Sequence, residues 1–250
     1  MEYKQYHETD KKIFHSEEQI YFSQANMHGF WSLHELLRVT SDIAVEDYRQ
    51  QGMSREFLKE KGFGILVSRL SFRFHKMPVE NQKLEIVTWE EKAEALQLVR
   101  KYNIFDENKN LLISAKAYWM VVDIKARRLL PTAKFTLRPP VEFTTETDCL
   151  NPGKISSVEN MELWDKRKIK FSDIDTNGHT TNSRYGAFIE DALPEEYRSK
   201  VPTDFKINYS KEAMLGNELS VYGKVVDDGK KLIVIGKTEE GNSFEAELFY

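Results

Sequence analysis

The chain of 250 residues is 40% hydrophobic and 30% charged, with a formal net charge of −4 at pH 7. That balance excludes a disordered or collagen-like chain and lacks the basic footprint of a nucleic-acid binder. No run approaches the ~18 uncharged apolar residues of a spanning helix, and the charged start MEYKQYHETDKKIFHSEEQ has no signal-peptide core. The expectation is a cytoplasmic globular protein with no membrane and no nucleic-acid partner. A single cysteine, Cys149, excludes an internal disulfide and any multi-cysteine metal site.

In chain order, an apolar-aromatic stretch, Ile20-Tyr21-Phe22, leads into turn chemistry from Asn26 to Gly29. Ser32 with Glu35 three residues on reads as a capping box. Leu33, Leu36, Leu37, Thr40, Ile43, Ala44 and Tyr48 then recur at helical spacing. Ser54 to Lys61, stopped by Gly62, reads as a capped surface turn. Strands follow at Leu70 to Phe74, Leu84 to Trp89, Leu96 to Phe105 and Leu111 to Ile124, with a polar hairpin turn at Asp106 to Asn110. Pro131 to Gly153 is loop chemistry and contains Cys149.

The second half repeats this order. A short strand is predicted at Lys168 to Phe171 and a helix at Asn182 to Leu193, stopped by Pro194. Strands then fall at Phe205 to Tyr209, Glu218 to Val226, Lys231 to Lys237 and Phe244 to Phe249. Helix then about four strands, twice, predicts a tandem α+β protein. Each sheet buries one face under a long helix, and two such units side by side merge their sheets and remove two edges. The predicted division is residues 1–130, a linker over 131–160, and residues 161–250.

The chemistry concentrates in Phe171 to Tyr185. Asp175, Asn177 and His179 stand at i, i+2 and i+4, a spacing that in extended backbone points three side chains to one side. Gly178 permits an unusual backbone angle. An acid, an amide and an imidazole on one side orient one another and a water. The competing reading is a polar loop whose Asp and Asn serve the turn.

This segment resembles the active-site loop of the acyl-acyl carrier protein thioesterases, a tandem hot-dog family. Asp175, Asn177, His179, Asn182 and Tyr185 match the family's positions there, and Tyr209-Ser210-Lys211-Glu212 resembles its downstream glutamate segment. Tyr118-Trp119-Met120 and Arg127-Arg128-Leu129 resemble its last first-half strand and basic turn. The resemblance implies a double hot-dog, each half a long helix wrapped by an antiparallel sheet. It also implies hydrolysis of the fatty acyl thioester of acyl carrier protein. No cofactor is expected, and no metal, since one histidine and scattered acids in this segment form no ligand set of recognised spacing. The implied catalytic residues are Asp175, Asn177, His179 and Glu212. Many plant members carry a cysteine directly after that glutamate; here the position is Ala213, so the expected nucleophile is water. Backbone N–H groups at Gly178 and at the start of the following helix are the expected oxyanion donors.

The first half has only His28 where the second has its acid-amide-imidazole set, so one site per chain is expected. An acyl pocket is sought among Leu33, Leu36, Leu37, Thr40 and Ile43 of the first helix and Phe72, Trp89 and Trp119 of its strands, with Trp31 beside it. For each of these, ordinary packing between helix and sheet is the competing reading. Lys166-Arg167-Lys168 with Lys170, and Lys125 with Arg127 and Arg128, are candidate basic rims for an acidic carrier protein. A monomer and a homodimer both fit the sequence. A hot-dog dehydratase or hydratase and an acyl-thioester sensor are the rival functions.

Overall fold

A computed structural model describes residues 4–10 and 12–250. The first half opens with two strands, β1 (Gln5–His7) and β2 (Ile13–Gln19). Helix α1 (Leu33–Gln50) follows, then the short α2 (Arg55–Glu60), β3 (Phe63–Phe74), β4 (Lys83–Glu94), β5 (Gln97–Asp106), β6 (Leu111–Asp123) and β7 (Arg128–Leu130). The second half contains β8 (Glu162–Lys168), α3 (Arg184–Ala192), α4 (Glu195–Arg198), β9 (Asp204–Tyr209), β10 (Glu218–Val226), β11 (Lys231–Thr238) and β12 (Gly241–Phe249).

All strands join one antiparallel sheet in the order β1-β2-β4-β5-β6-β3-β9-β12-β11-β10-β8, with β7 beside β6. The halves meet where β3 pairs with β9, Arg69 opposite Asn208 through Arg73 opposite Asp204. Each half closes the other's edge, as the repeated pattern predicts. The seam is fixed by an ion pair, Arg73 Nε to the buried Asp204 Oδ1 at 2.9 Å, and by Phe72 against Phe205, ring centroids 6.0 Å apart.

Helix α1 forms where its periodicity places it. Leu33, Leu36, Leu37, Val39, Ile43 and Ala44 are buried against the sheet. Ser32 accepts from the Glu35 N–H, but Glu35 does not complete the box. Its carboxylate binds Arg38 and the Gln24 amide instead, and the Ser32 N–H donates to the Gln24 carbonyl. At the other end, Asp47 pairs with the buried Arg100 on β5 at 2.7 Å and with His7 on β1, also at 2.7 Å. That anchors the helix to the sheet and draws in the N-terminal strand.

Four expectations are corrected. Strands β1 and β2 were not foreseen, because an edge pair carries polar side chains that blur alternation. The strand expected at Lys168 to Phe171 lies earlier, at β8, and Phe171 is exposed in a 3₁₀ turn. Helix α3 begins at Arg184 rather than Asn182 and spans nine residues. After Pro194 the chain turns helical again for one turn in α4.

The segment expected as a linker is packed along the outer face of the sheet. Phe143 accepts from the Lys92 N–H, the Thr145 N–H donates to Glu91, and Asn151 accepts from Lys116. Gly153 accepts from Asn208, and Ile155 packs on Ile233 and Ile235. This strap crosses from β4 to β11. Cys149 is buried within it, and burial pushes its thiol up, away from the depressed pKa of a reactive cysteine.

Helices α1 and α3 pack against each other, most closely at Gly186. A Cβ there would stand 2.8 Å from the His34 nitrogen and 2.9 Å from the Leu33 carbonyl carbon. One turn further along α3, Glu190 faces the backbone N–H groups of Leu33 and His34.

Candidate active site

The Asp175–His179 segment is a tight turn, not an extended strand. Ile174 and Thr180 pair across its neck, the Asp175 N–H donates to the His179 carbonyl at 2.9 Å, and the Gly178 N–H to the Asp175 carbonyl at 3.0 Å. Gly178 holds φ at +87°, a left-handed angle that glycine adopts without penalty. Same-side alternation therefore does not bring these residues together; the turn does. The Asp175 carboxylate accepts from the Asn177 N–H at 2.7 Å, the His179 N–H at 3.4 Å and the Asn177 side-chain amide at 3.2 Å. The Gly178 N–H is occupied within the turn, so the expectation that it serves as an oxyanion donor is withdrawn.

Two further contacts fix the turn. Asp173, buried, accepts from the Lys170 N–H and from Arg184 at the start of α3. On the other side Thr180 donates both its N–H and its hydroxyl to the Ala213 carbonyl, at 2.9 and 2.8 Å, while His179 bridges Met214. The loop thus lies beside residues 213–214, which brings Glu212 alongside. His179 Nε2 and Glu212 Oε2 are 3.1 Å apart, and both side chains are partly open to solvent. The structure brings this pair together and holds Asp175 behind the histidine's backbone. Asn177 stands at the exposed tip, outside contact with the pair.

The tip has a partner that sequence reasoning missed. Arg55, the first residue of α2, donates to Asn177 Oδ1 at 2.6 Å and to Thr176 Oγ1 at 3.1 Å. The short element expected as a surface turn is therefore a brace from the first half onto the loop. No local motif announces a contact across 122 residues. Behind the loop Tyr185 is buried and Tyr209 half-buried, and desolvation pushes both phenols up. Tyr209 donates to the Asn182 carbonyl at 3.4 Å.

The apolar candidates divide. Leu36, Leu37, Ile43 and Phe72 lie in the core between α1 and the sheet, and Thr40 is buried with its hydroxyl bonded to the Leu36 carbonyl. Trp119 belongs to the same core and Trp89 is half-buried on β4. Leu33 and Trp31 line a cavity of about 420 Å3.

Of the two basic runs, the first has two of its four cations in ion pairs. Lys166 binds Glu218 at 2.7 Å, and Arg167 binds Asp165 at 2.6 Å and Asp191 at 3.0 Å. Lys125 and Arg128 of the second line a groove of about 740 Å3 together with Lys61 and Lys134. That groove reaches Glu60, the last residue of α2. At 1.5 Å per residue it opens roughly 7.5 Å along the helix from Arg55 and the loop.

A twelve-stranded sheet built from two helix-backed halves, with its polar loop at the start of the second helix, defines a tandem hot-dog protein. The acyl-ACP thioesterase N-terminal domain matches residues 11–135 and the acyl-ACP thioesterase C-terminal domain matches residues 157–248. The chain belongs to the acyl-ACP thioesterase family and is a thioester hydrolase. The fold is similar to that of an acyl-ACP thioesterase from Bacteroides thetaiotaomicron, with TM-score 0.82 and 22% identity over 96% of this chain and 98% of that one. It is also similar to a 12:0-ACP thioesterase from Umbellularia californica, with TM-score 0.75 and 14% identity over 95% and 96%. No curated protein matches the chain by sequence.

Proposed function

We propose that the chain releases free fatty acid from acyl carrier protein by direct attack of water, activated by His179 and Glu212. The observation that carries this reading is the 3.1 Å pairing of imidazole and carboxylate at the mouth of a turn built to present it. Water held by the pair adds to the thioester carbonyl carbon and its proton passes to His179 or Glu212. The tetrahedral intermediate then collapses, the C–S bond breaks, and the pair returns the proton to the departing thiolate. Asp175 is a positioning residue that fixes the turn and the Asn177 amide. Asn177 ties the turn to Arg55, and the N-terminal end of α3 supplies positive dipole to the developing oxyanion. Cys149 takes no part.

In this reading residues 1–130 and 161–250 are the two hot-dog halves and 131–160 is the strap. The acyl chain enters the first half near α1. The acidic carrier protein docks on the Lys61, Lys125, Arg128 and Lys134 groove, whose distance from the loop suits a flexible thiol arm. The test is a hydrolysis panel of acyl-carrier and acyl-coenzyme A thioesters of graded chain length, monitored by free thiol release. The reading expects turnover of carrier thioesters that falls with salt and with charge reversal at Lys125 and Arg128. No thiol release from any of them by the folded protein refutes it.

A further inference from the structure

The active-site turn occurs twice. Ile20 to Ser32 and Ile169 to Thr181 share one backbone: a 3₁₀ turn after a phenylalanine, then a neck bridge, Ala25 with Trp31 and Ile174 with Thr180. A left-handed glycine follows in each, Gly29 at φ +76° and Gly178 at φ +87°. Asn26 accepts from the His28 and Phe30 N–H groups as Asp175 does from those of Asn177 and His179. The neighbouring segment repeats as well. The Trp31 N–H donates to the Pro78 carbonyl at 2.9 Å, as Thr180 does to Ala213, and Phe30 bridges Val79, as His179 bridges Met214. In this frame Phe30 stands where His179 stands, and Met77 where Glu212 stands. The second position of the pseudo-dimer thus keeps its architecture with the acid-base pair replaced by apolar side chains.

It also keeps a cavity. Phe30, Trp31, Leu33 and Met77 line about 420 Å3 against Leu193 and Leu248 of the second half, a volume in the range of small-molecule sites. Two residues of this lining, Trp31 and His34, each carry a buried nitrogen without a hydrogen-bond partner, Nε1 and Nδ1. An indole N–H only donates, so leaving it unmet is costly and a ligand acceptor relieves it. Arg198 and Lys200, both exposed, stand on the same lining with Glu190 and Asp191; Arg198 gives Nε and Nη2 to the Leu193 and Asp191 carbonyls, which leaves its Nη1 and the Lys200 ammonium to meet an anion. An apolar chain that ends in an anionic acceptor matches all three features.

We propose that this cavity is a second, non-hydrolytic site that binds a fatty acid, its chain against Phe30, Leu33 and Met77 and its carboxylate toward Trp31 Nε1, Arg198 and Lys200. Naming the occupant as the product of the catalytic half rests on the function proposed above; the cavity and its chemistry do not. The test is photolabelling of the wild-type protein with dodecanoate bearing a terminal diazirine, with adducts mapped by peptide mass, alongside calorimetric titration with dodecanoate. Adducts are expected on the peptides that hold Phe30 to Leu33 and Met77. Ala187→Phe, which fills the cavity from α3, is expected to remove them and to abolish one equivalent of binding. Lys200→Glu is expected to weaken that equivalent at least tenfold. Labelling absent from these peptides in the wild-type protein overturns the proposal whether or not the variants fold. Labelling present without any hydrolysis of acyl carrier protein leaves the site standing and refutes the catalytic reading instead.

Discussion

Glu190 is a half-buried carboxyl with an opposed environment. Burial raises its pKa to about 7 from 4.5, against the pull of the Leu33 and His34 N–H groups, with Asp191 adding a smaller push upward. A folded pKa above the unfolded one means that the folded state holds its proton more tightly. Stability is therefore fully present below about pH 4.5 and declines as pH rises toward 7, with no further loss above. The shift corresponds to about 3 kcal/mol at 1.36 kcal/mol per unit, or a lowering of Tm by roughly 6 °C for a chain of this size. Glu190→Gln removes the titration while keeping the shape. Scanning Tm between pH 4.5 and pH 8 for both proteins, the wild type is expected to fall below the variant progressively through this window. A constant offset also follows if the Gln amide leaves a donor unmet, so the pH-dependent difference is the readout. A difference that stays flat from pH 4.5 to pH 8 refutes the assignment of Glu190 as a desolvated, proton-holding group.

Three other outcomes follow from particular contacts. Arg55→Ala, by releasing Asn177 and Thr176, is expected to lower kcat about five- to twentyfold with unchanged folding, since the brace is exposed and charge-assisted; steady-state kinetics with a Tm measurement checks this. Gly186→Ala forces a methyl to within 2.8 Å of the His34 nitrogen and is expected to cost about 1–3 kcal/mol, measured by denaturant unfolding. Cys149→Ala is expected to leave the hydrolytic rate within twofold, and inactivation by that change alone contradicts a water mechanism.

Much of this architecture was legible because its determinants are local. The apolar face of α1 and the Ser32 cap lie within one helix, and the tandem order of elements shows in the spacing of alternating strands. The Asp175-Asn177-His179 segment was legible as a cluster, but through the wrong geometry. Its residues converge because Gly178 and the Asp175 carboxylate close a turn, and a spacing of two carries no information about that closure. Arg55 was invisible because its partners are distant in sequence and its own helix looks like any capped turn. How far the strap packs on the sheet was hidden for a related reason. Prolines and threonines mark irregular backbone, but what covers the sheet's outer face depends on which polar groups, such as Glu91 and Asn208, await partners there. The first-half counterpart of the catalytic turn was visible at His28, yet the substitution of Met77 for a glutamate emerges only when the two halves are superposed by their hydrogen bonds.

The most direct test of the catalytic account is a double-mutant cycle on His179 and Glu212, with initial rates of acyl-carrier hydrolysis measured for both alanine variants and their combination. If the two groups act as one unit on the same water, each single change lowers kcat by about 10²–10⁴ and the pair loses little more than either alone. Wild-type turnover in either folded single variant, or losses that multiply in the double, contradicts it.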